Sequence, residues 1–289
     1  MPAPPDAGTW SHRRGEFSLR ASGVIMGVLN VTPDSFSDGG DFMDPARAVQ
    51  RAADLESEGA DIIDIGGESS RPGSEPVEEA EELRRVIPVI RGIRKRSEIP
   101  ISIDTTKSAV AREAIASGAD IVNDISGLRA DADMPALVAS TGAGAVIMHM
   151  RGTPRTMQQS PSYGDALTEV CEFLRQAVEA ALSCGMDARK LAIDPGIGFG
   201  KTPDHNRELI VGIPTIASLG RPVLIGVSRK SFLAWAGSAR QMQERHWPGV
   251  ALTSFCRELG AKIFRVHEPR PHREALRMTE AILAAGSHV

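Results

Sequence analysis

Eight times along this chain a short apolar run of strand type ends in a side chain that can hydrogen-bond, carry charge or bind metal. The runs are VIMGVLN ending at Asn30, DIIDIGG at Asp64, PISID at Asp104 and DIVND at Asn123 and Asp124. They continue with AVIMHM at His149, LAIDPG at Asp194, VLIGVSRK at Ser228 to Lys230, and KIFRVH at Arg265 and His267. Short buried strands alternating with helices mark βα units on a parallel sheet. Eight such units predict an α/β fold, a single (β/α)₈ TIM barrel, with its chemistry at the carboxyl ends of the strands. An enzyme site on that barrel needs polar groups there. A purely structural barrel has little reason to place one at that end of every strand.

The stretches between the runs carry helix signals. Asp44-Pro45 supplies an N-cap and a first-turn proline for ARAVQRAADLESEG. VEEAEELRRVIPVIRGIRKR has helical periodicity, with a kink expected at Pro88. TKSAVAREAIASG ends at Gly118, a good C′ residue. DALTEVCEFLRQAVEAALSCG places apolar residues at 167, 170, 171, 174, 177, 178, 181 and 182, a three-and-four stripe. Further helices are expected at about 203–219, 247–260 and 271–285. The alternation never breaks, so residues 21–289 are expected to form one barrel domain. Residues 1–20, polar and proline-rich, are expected to be a loosely ordered arm.

A net charge of −4 gives no global basic field for nucleic acid. The local run Arg91, Arg94, Lys95, Arg96 suits a solvated helix end. The three cysteines, Cys171, Cys184 and Cys256, have no CxxC spacing, which argues against a disulfide framework and a structural zinc site. Cys171 and Cys184 fall on the amphipathic helix and read as small buried hydrophobes. No run reaches the roughly 18 to 20 apolar residues of a membrane span. The opening segment lacks the hydrophobic stretch of a secretory signal, so a cytoplasmic protein is expected.

Three connections are long and rich in glycine and proline: NVTPDSFSDGGDF, GGESSRPGSEPV and MRGTPRTMQQSPSYG. Loops of this kind are usually lids or binding loops, and the first two follow strand ends.

Arg265 and His267 alternate around Val266 and are expected to project to one side as an anion clamp. Barrels commonly hold phosphate near their seventh and eighth strands. Asn30, from the neighbouring first strand, offers the kind of oxygen that Mg²⁺ accepts beside substrate phosphates. Alone it also suits a turn; together the three describe a magnesium-pyrophosphate site. Asp104, Asn123 and Asp194 are expected across the mouth, where ionised carboxylates accept from N–H donors. A flat heterocycle with an amidine-like edge would pair with Asp194, with Lys230 donating to a ring acceptor. Asp104 and Asp194 each also suit a helix N-cap. GIGFGK at 196–201 lacks the spacing of a nucleotide-binding loop, and His149 is expected to be a core histidine bonded to backbone. No HExxH pair, GxSxG elbow or nucleophilic cysteine context occurs.

Taken together, MGVLNVTPDSFSDGG, DIIDIGGESSRPG, ISIDTTK, IVNDISG, VIMHMRGTP, LAIDPGIGFGKTPDHN, LIGVSRKSF and FRVHEP resemble the dihydropteroate synthase family, in order and spacing, from about Met26 to Pro269. The resemblance implies condensation of 6-hydroxymethyl-7,8-dihydropterin pyrophosphate with 4-aminobenzoate, giving 7,8-dihydropteroate and pyrophosphate. It assigns the pterin pocket to Asp104, Asn123, Asp194 and Lys230, with Met148 and Phe199 against the ring. It places Asn30, Arg265 and His267 at the Mg²⁺ and pyrophosphate site, with Asp104, Lys230, Arg265 and His267 as the catalytic set. Ser70, Arg71, Pro72 and Ser231 fall on the aminobenzoate side, with Phe36 and the first two loops closing over it. It also implies an SN1-like reaction and a homodimer built on the later helices. Ser70 stands where many members have threonine, and Glu268 where aspartate is commoner. The rival readings are a methyltetrahydrofolate:corrinoid methyltransferase, which would not need Arg265, His267 and SRKS, and a catalytically silent pterin-binding scaffold.

Overall fold

All eight apolar runs form strands, and every pairing among them is parallel. After a hairpin of β1 (Thr9–His12) and β2 (Gly15–Ser18) come β3 (Val24–Asn30), β4 (Ile62–Gly66), β5 (Ile101–Asp104) and β6 (Ile121–Asp124). The ring continues with β7 (Gly144–Met148), β8 (Leu191–Asp194), β9 (Leu224–Ile225) and β10 (Ile263–Val266). Hydrogen bonds run in the order β8-β7-β6-β5-β4-β3-β10-β9, and a bridge from Ile193 to Val223 joins the two ends. The structure, a computed structural model, describes residues 8–32, 44–234, 241 and 243–286.

Register brings the polar strand ends to one level. Asn30 lies opposite Gly66, Gly66 opposite Asp104, Asp104 opposite Asn123, and Met148 opposite Asp194. In a parallel ring this level is the catalytic rim.

The surrounding helices are α1 (Pro45–Ser57), α2 (Glu79–Arg94), α3 (Ser108–Ala116), α4 (Met134–Thr141), α5 (Ala166–Ser183), α6 (Pro203–Val211), α7 (Ile213–Ala217), α8 (His246–Glu258) and α9 (Pro269–Gly286). Asp44 accepts from the Ala46 N–H at 2.8 Å and caps α1. Helix α2 continues through Pro88: the proline removes one hydrogen bond, but Val86, Ile87, Val89 and Ile90 are buried around it. Helix α5 buries Val170, Leu174, Ala177, Val178 and Ala181, as the apolar stripe predicts. The cysteine expectation needs correcting. Cys184 is exposed and Cys171 only half-buried, because Cys184 caps the helix beyond the packed stripe. All three cysteines are free thiols.

The arm also differs from expectation. Residues 1–7 lie outside the described residues, but Thr9–Ser18 form the antiparallel hairpin β1–β2. Trp10 is fully buried and donates its indole N–H to the Lys190 carbonyl at 3.1 Å. It packs with Leu19, Val24, Met26, Ile62, Ile121, Val146, Leu224 and Ile263, side chains of the inner barrel. A polar, proline-rich opening thus hides one large apolar anchor that stoppers the amino end of the ring. Among the described residues no helix is long and apolar enough to cross a membrane.

Candidate active site

Arg265 organises the rim. From β10 its Nε donates to Asp64 Oδ2 at 2.6 Å, and its Nη2 donates to Asp104 Oδ2 at 2.7 Å. Asp64 is fully buried on β4 and also accepts from Asn123 Nδ2 at 3.2 Å. One guanidinium therefore joins the side chains of four strands. Burial works against its charge, but Asp64 and Asp104 hold it firmly protonated. Burial drives Asp104 up to about 7 against the pull of Arg265, with Asp64 adding to the rise.

This geometry corrects the expected division of the mouth. Asp104 is not across from the cationic group; it is hydrogen-bonded to it. His267 likewise is no second cation. Its Nδ1 lies 3.1 Å from Ser228 Oγ, and burial, with Arg229, Arg265 and Lys230 nearby, lowers it to about 3. The imidazole is therefore neutral at physiological pH and can act as a hydrogen-bond partner but not as a charge.

Beside this knot lies a second group. Asp194 is 5% exposed and accepts from the Gly196 N–H at 2.6 Å. Burial raises it to about 6, opposed by that bond and by Lys230, Lys201 and Arg265. Lys230 places its ammonium 3.9 Å from the centre of the Phe199 ring, a cation–π contact. Its own value falls to about 8, through burial and Arg265. Phe199 packs with Met148 and Met157 in a small apolar cluster. A carboxylate, an amide, an ammonium and an apolar wall fit a flat, polar-edged ring. Neither acidic residue serves as a helix cap: Lys107 precedes α3, and Thr202 caps α6.

The Gly196–Gly200 loop shapes this wall. Gly196, Gly198 and Gly200 all have positive φ, and a Cβ on Gly196 would lie 1.9 Å from the His149 carbonyl. Lys201, 3% exposed, donates to the carbonyls of Phe199 at 3.0 Å and His149 at 3.4 Å. Its Nζ also sits 2.9 Å from His149 Nδ1, so the histidine side chain meets a lysine where a backbone partner was expected. Burial lowers Lys201 to about 7, despite Asp194.

The other expected residues sit around the rim. Ser70 lines a cavity of about 20 Å³ with Asp104, while Arg71 and Pro72 are exposed on the loop above. Arg71 is near enough to contribute to the lowering of His267. Ser231 is exposed at the start of a short 3₁₀ turn, and Asn30 is half-buried at the end of β3. Phe36 and most of the first loop lie outside the described residues. Asp64, which the strand pattern marks as a polar strand-end group without giving it a contact, and Lys201, to which it gives no role, are both site residues. For Asp64 the available signal is a carboxylate inside an otherwise apolar run.

A family model described as pterin binding enzyme matches residues 26–267. A dihydropteroate synthase from a Synechocystis species is 44% identical over 260 residues, covering 89% of each chain. The chain belongs to the dihydropteroate synthase family. The fold agrees with that membership. A structure of Xanthomonas albilineans dihydropteroate synthase with 4-aminobenzoic acid superposes with a TM-score of 0.89 at 39% identity, covering 96% of this chain and 99% of that one. Another from the same organism, in complex with 7,8-dihydropteroate, gives 0.84 at 38% identity, covering 93% and 96%.

Proposed function

We propose that this protein condenses 6-hydroxymethyl-7,8-dihydropterin pyrophosphate with 4-aminobenzoate, releasing pyrophosphate and 7,8-dihydropteroate. Family membership supports the reaction, and one observation supports its course: Asp64, Asp104 and Arg265 form a single linked cluster at the rim. Two carboxylates share one guanidinium there. With both ionised the cluster is net negative and favours positive charge developing beside it.

The pterin lies between Met148 and Phe199, with its N–H edge on Asp194 and further ring groups on Asn123, Asp104 and Lys230. The methylene–oxygen bond breaks first, and its electron pair leaves with pyrophosphate. Arg265 and Lys230 receive the growing negative charge, and His267 assists as a neutral donor. The carboxylates of Asp64 and Asp104 face the cation left on the pterin. The neutral arylamine, held by Ser70, Arg71, Pro72 and Ser231, attacks the methylene carbon and then sheds a proton.

A Mg²⁺ ion held at Asn30 would neutralise the leaving pyrophosphate. Among the described residues no group of three or more His, Cys, Asp or Glu side chains could hold a metal. A single amide oxygen fits Mg²⁺ only when substrate phosphates and water complete its shell. The ion is therefore proposed to arrive with the substrate. A homodimer is proposed on α8 and α9, supported by exposed Trp247, Phe255, Met278 and Ile282. The free cysteines suit a reducing cytoplasm.

A pyrophosphate-release assay tests the reading. Release is expected to match dihydropteroate one-for-one and to require both substrates for sustained turnover. Binding of the pterin substrate without turnover on adding 4-aminobenzoate would favour a silent pterin-binding protein instead.

A further inference from the structure

The segment from Gly67 to Val77, which carries Ser70, Arg71 and Pro72, is pinned at its neck by a charge cluster outside the groups discussed above. Lys107 Nζ donates to Glu68 Oε2 and Glu82 Oε2, each at 2.5 Å. The same Glu68 oxygen accepts from the Val77 N–H at 3.2 Å, so it joins the two ends of the segment. Glu82 is fully buried, and among the described residues its Oε1 has no hydrogen-bond partner. Two carboxylates thus depend on one ammonium. At its tip the segment touches the loop after β7 through the Gly73 N–H and the Pro154 carbonyl, 3.0 Å apart. Lys107 follows Asp104 by three residues, so one rigid strand end carries both a rim carboxylate and the neck anchor.

We propose that Lys107 is a positioning residue: through Glu68 it docks the 67–77 segment on the barrel and so presents Ser70, Arg71 and Pro72 to the second substrate. Assigning that substrate as 4-aminobenzoate rests on the function proposed above; the docking itself does not. Without the ammonium, Glu68 and Glu82 face each other with no other paired cation among the described residues. The less buried Glu68 moves into water and takes the neck with it.

Hydrogen exchange over residues 69–77 in the substrate-free protein tests the docking. Exchange accelerates in Lys107→Met, accelerates less in Glu68→Gln, and stays near wild type in Lys107→Arg. Glu68→Gln, which keeps an acceptor for the Val77 N–H, serves if Lys107→Met does not fold. Wild-type protection in the neutral variants would overturn the proposal. In steady-state kinetics Lys107→Met raises KM for 4-aminobenzoate about tenfold. KM for the pterin substrate stays within about twofold. Equal rises in both constants, with protection intact, would reduce Lys107 to a general stabiliser. Arg71→Ala is run in parallel. If exchange accelerates but neither variant changes KM for 4-aminobenzoate, docking stands and the substrate assignment fails.

Discussion

Arg265 and Asp64 lie 201 residues apart in the chain, and their side chains meet at 2.6 Å by reaching past β3. Asp64 is completely buried and the Arg265 side chain only 18% exposed, which makes the pair sensitive to loss of either partner. Arg265→Met leaves Asp64 and Asp104 without their cation. Breaking such a pair costs about 3–5 kcal/mol. Asp104, already raised by burial, then loses the pull of Arg265 and holds its proton still more tightly when folded than when unfolded, so the deficit shrinks at acid pH and grows as pH rises. Urea denaturation at pH 5 and pH 8 measures it. A loss below about 1 kcal/mol at pH 8 would show the pair to be dispensable for folding.

That relationship also marks where sequence reading stops. The strand ends themselves were legible, because a polar residue closing each apolar run is a local pattern: Asp104, Asn123, Asp194 and Arg265 lie within the last two residues of their strands, and Lys230 follows in the connection after β9. Which of them bond to each other was not. Alternation predicts the side a residue faces, not how far a long guanidinium reaches. Asp104 therefore lies against Arg265 rather than across from it. Lys107 and Lys201 were invisible for a related reason: a lysine in a short loop signals solvent unless its distant partners are known. Trp10 fell in a segment whose composition suggested disorder, although a single buried indole was enough to order it.

Asp194 links pH to pterin recognition. Its folded value of about 6 stands above the ordinary carboxylate range because of burial. Its contribution to stability is therefore full below about pH 4 and lost as pH rises through 6. Ligand binding runs the other way, since only the ionised side chain accepts two N–H bonds. Pterin affinity is expected to rise between pH 5 and 7. Asp194→Asn should weaken binding at pH 8 by at least tenfold, or about 1.4 kcal/mol, and remove the step near 6. The pH dependence left in that variant belongs to Asp104 and Lys230. Calorimetry across this range decides the matter, and equal affinity in wild type and Asp194→Asn at pH 8 would remove Asp194 from the pocket.

Two glycines with similar backbone angles should respond very differently to alanine. Gly196 has φ +69° and no room, because an added Cβ would stand 1.9 Å from the His149 carbonyl oxygen. Gly73 has φ +83°, and an added Cβ there would meet nothing within 4 Å among the described residues. Gly73→Ala bears only the left-handed backbone cost, about 1–2 kcal/mol. Gly196→Ala adds a clash that displaces Asp194 or the β7 end, and is expected to lose more than about 4 kcal/mol. Thermal melts of the two proteins make the comparison. Similar shifts would mean that the 196–200 loop relaxes freely.

Stability and catalysis should separate along the barrel axis. Trp10 fills the amino end, fully buried, with its N–H on the Lys190 carbonyl, while the proposed chemistry lies at the other end. Truncating such a side chain forfeits its transfer energy and leaves a cavity against Met26, Ile62 and Ile263. Trp10→Ala is expected to cost about 3–5 kcal/mol. Trp10→Phe keeps most of the volume but strands the Lys190 carbonyl, for a loss of about 1–3 kcal/mol. At a temperature where Trp10→Phe is fully folded, its kcat and both KM values should match wild type. The eight strands are short and closely packed, so the alternative is mechanical: a disturbed floor tilts β3 and β10 and carries Asn30 and Arg265 with them. In that case kcat falls in Trp10→Phe even when the protein is fully folded, and the two ends of the barrel are not independent.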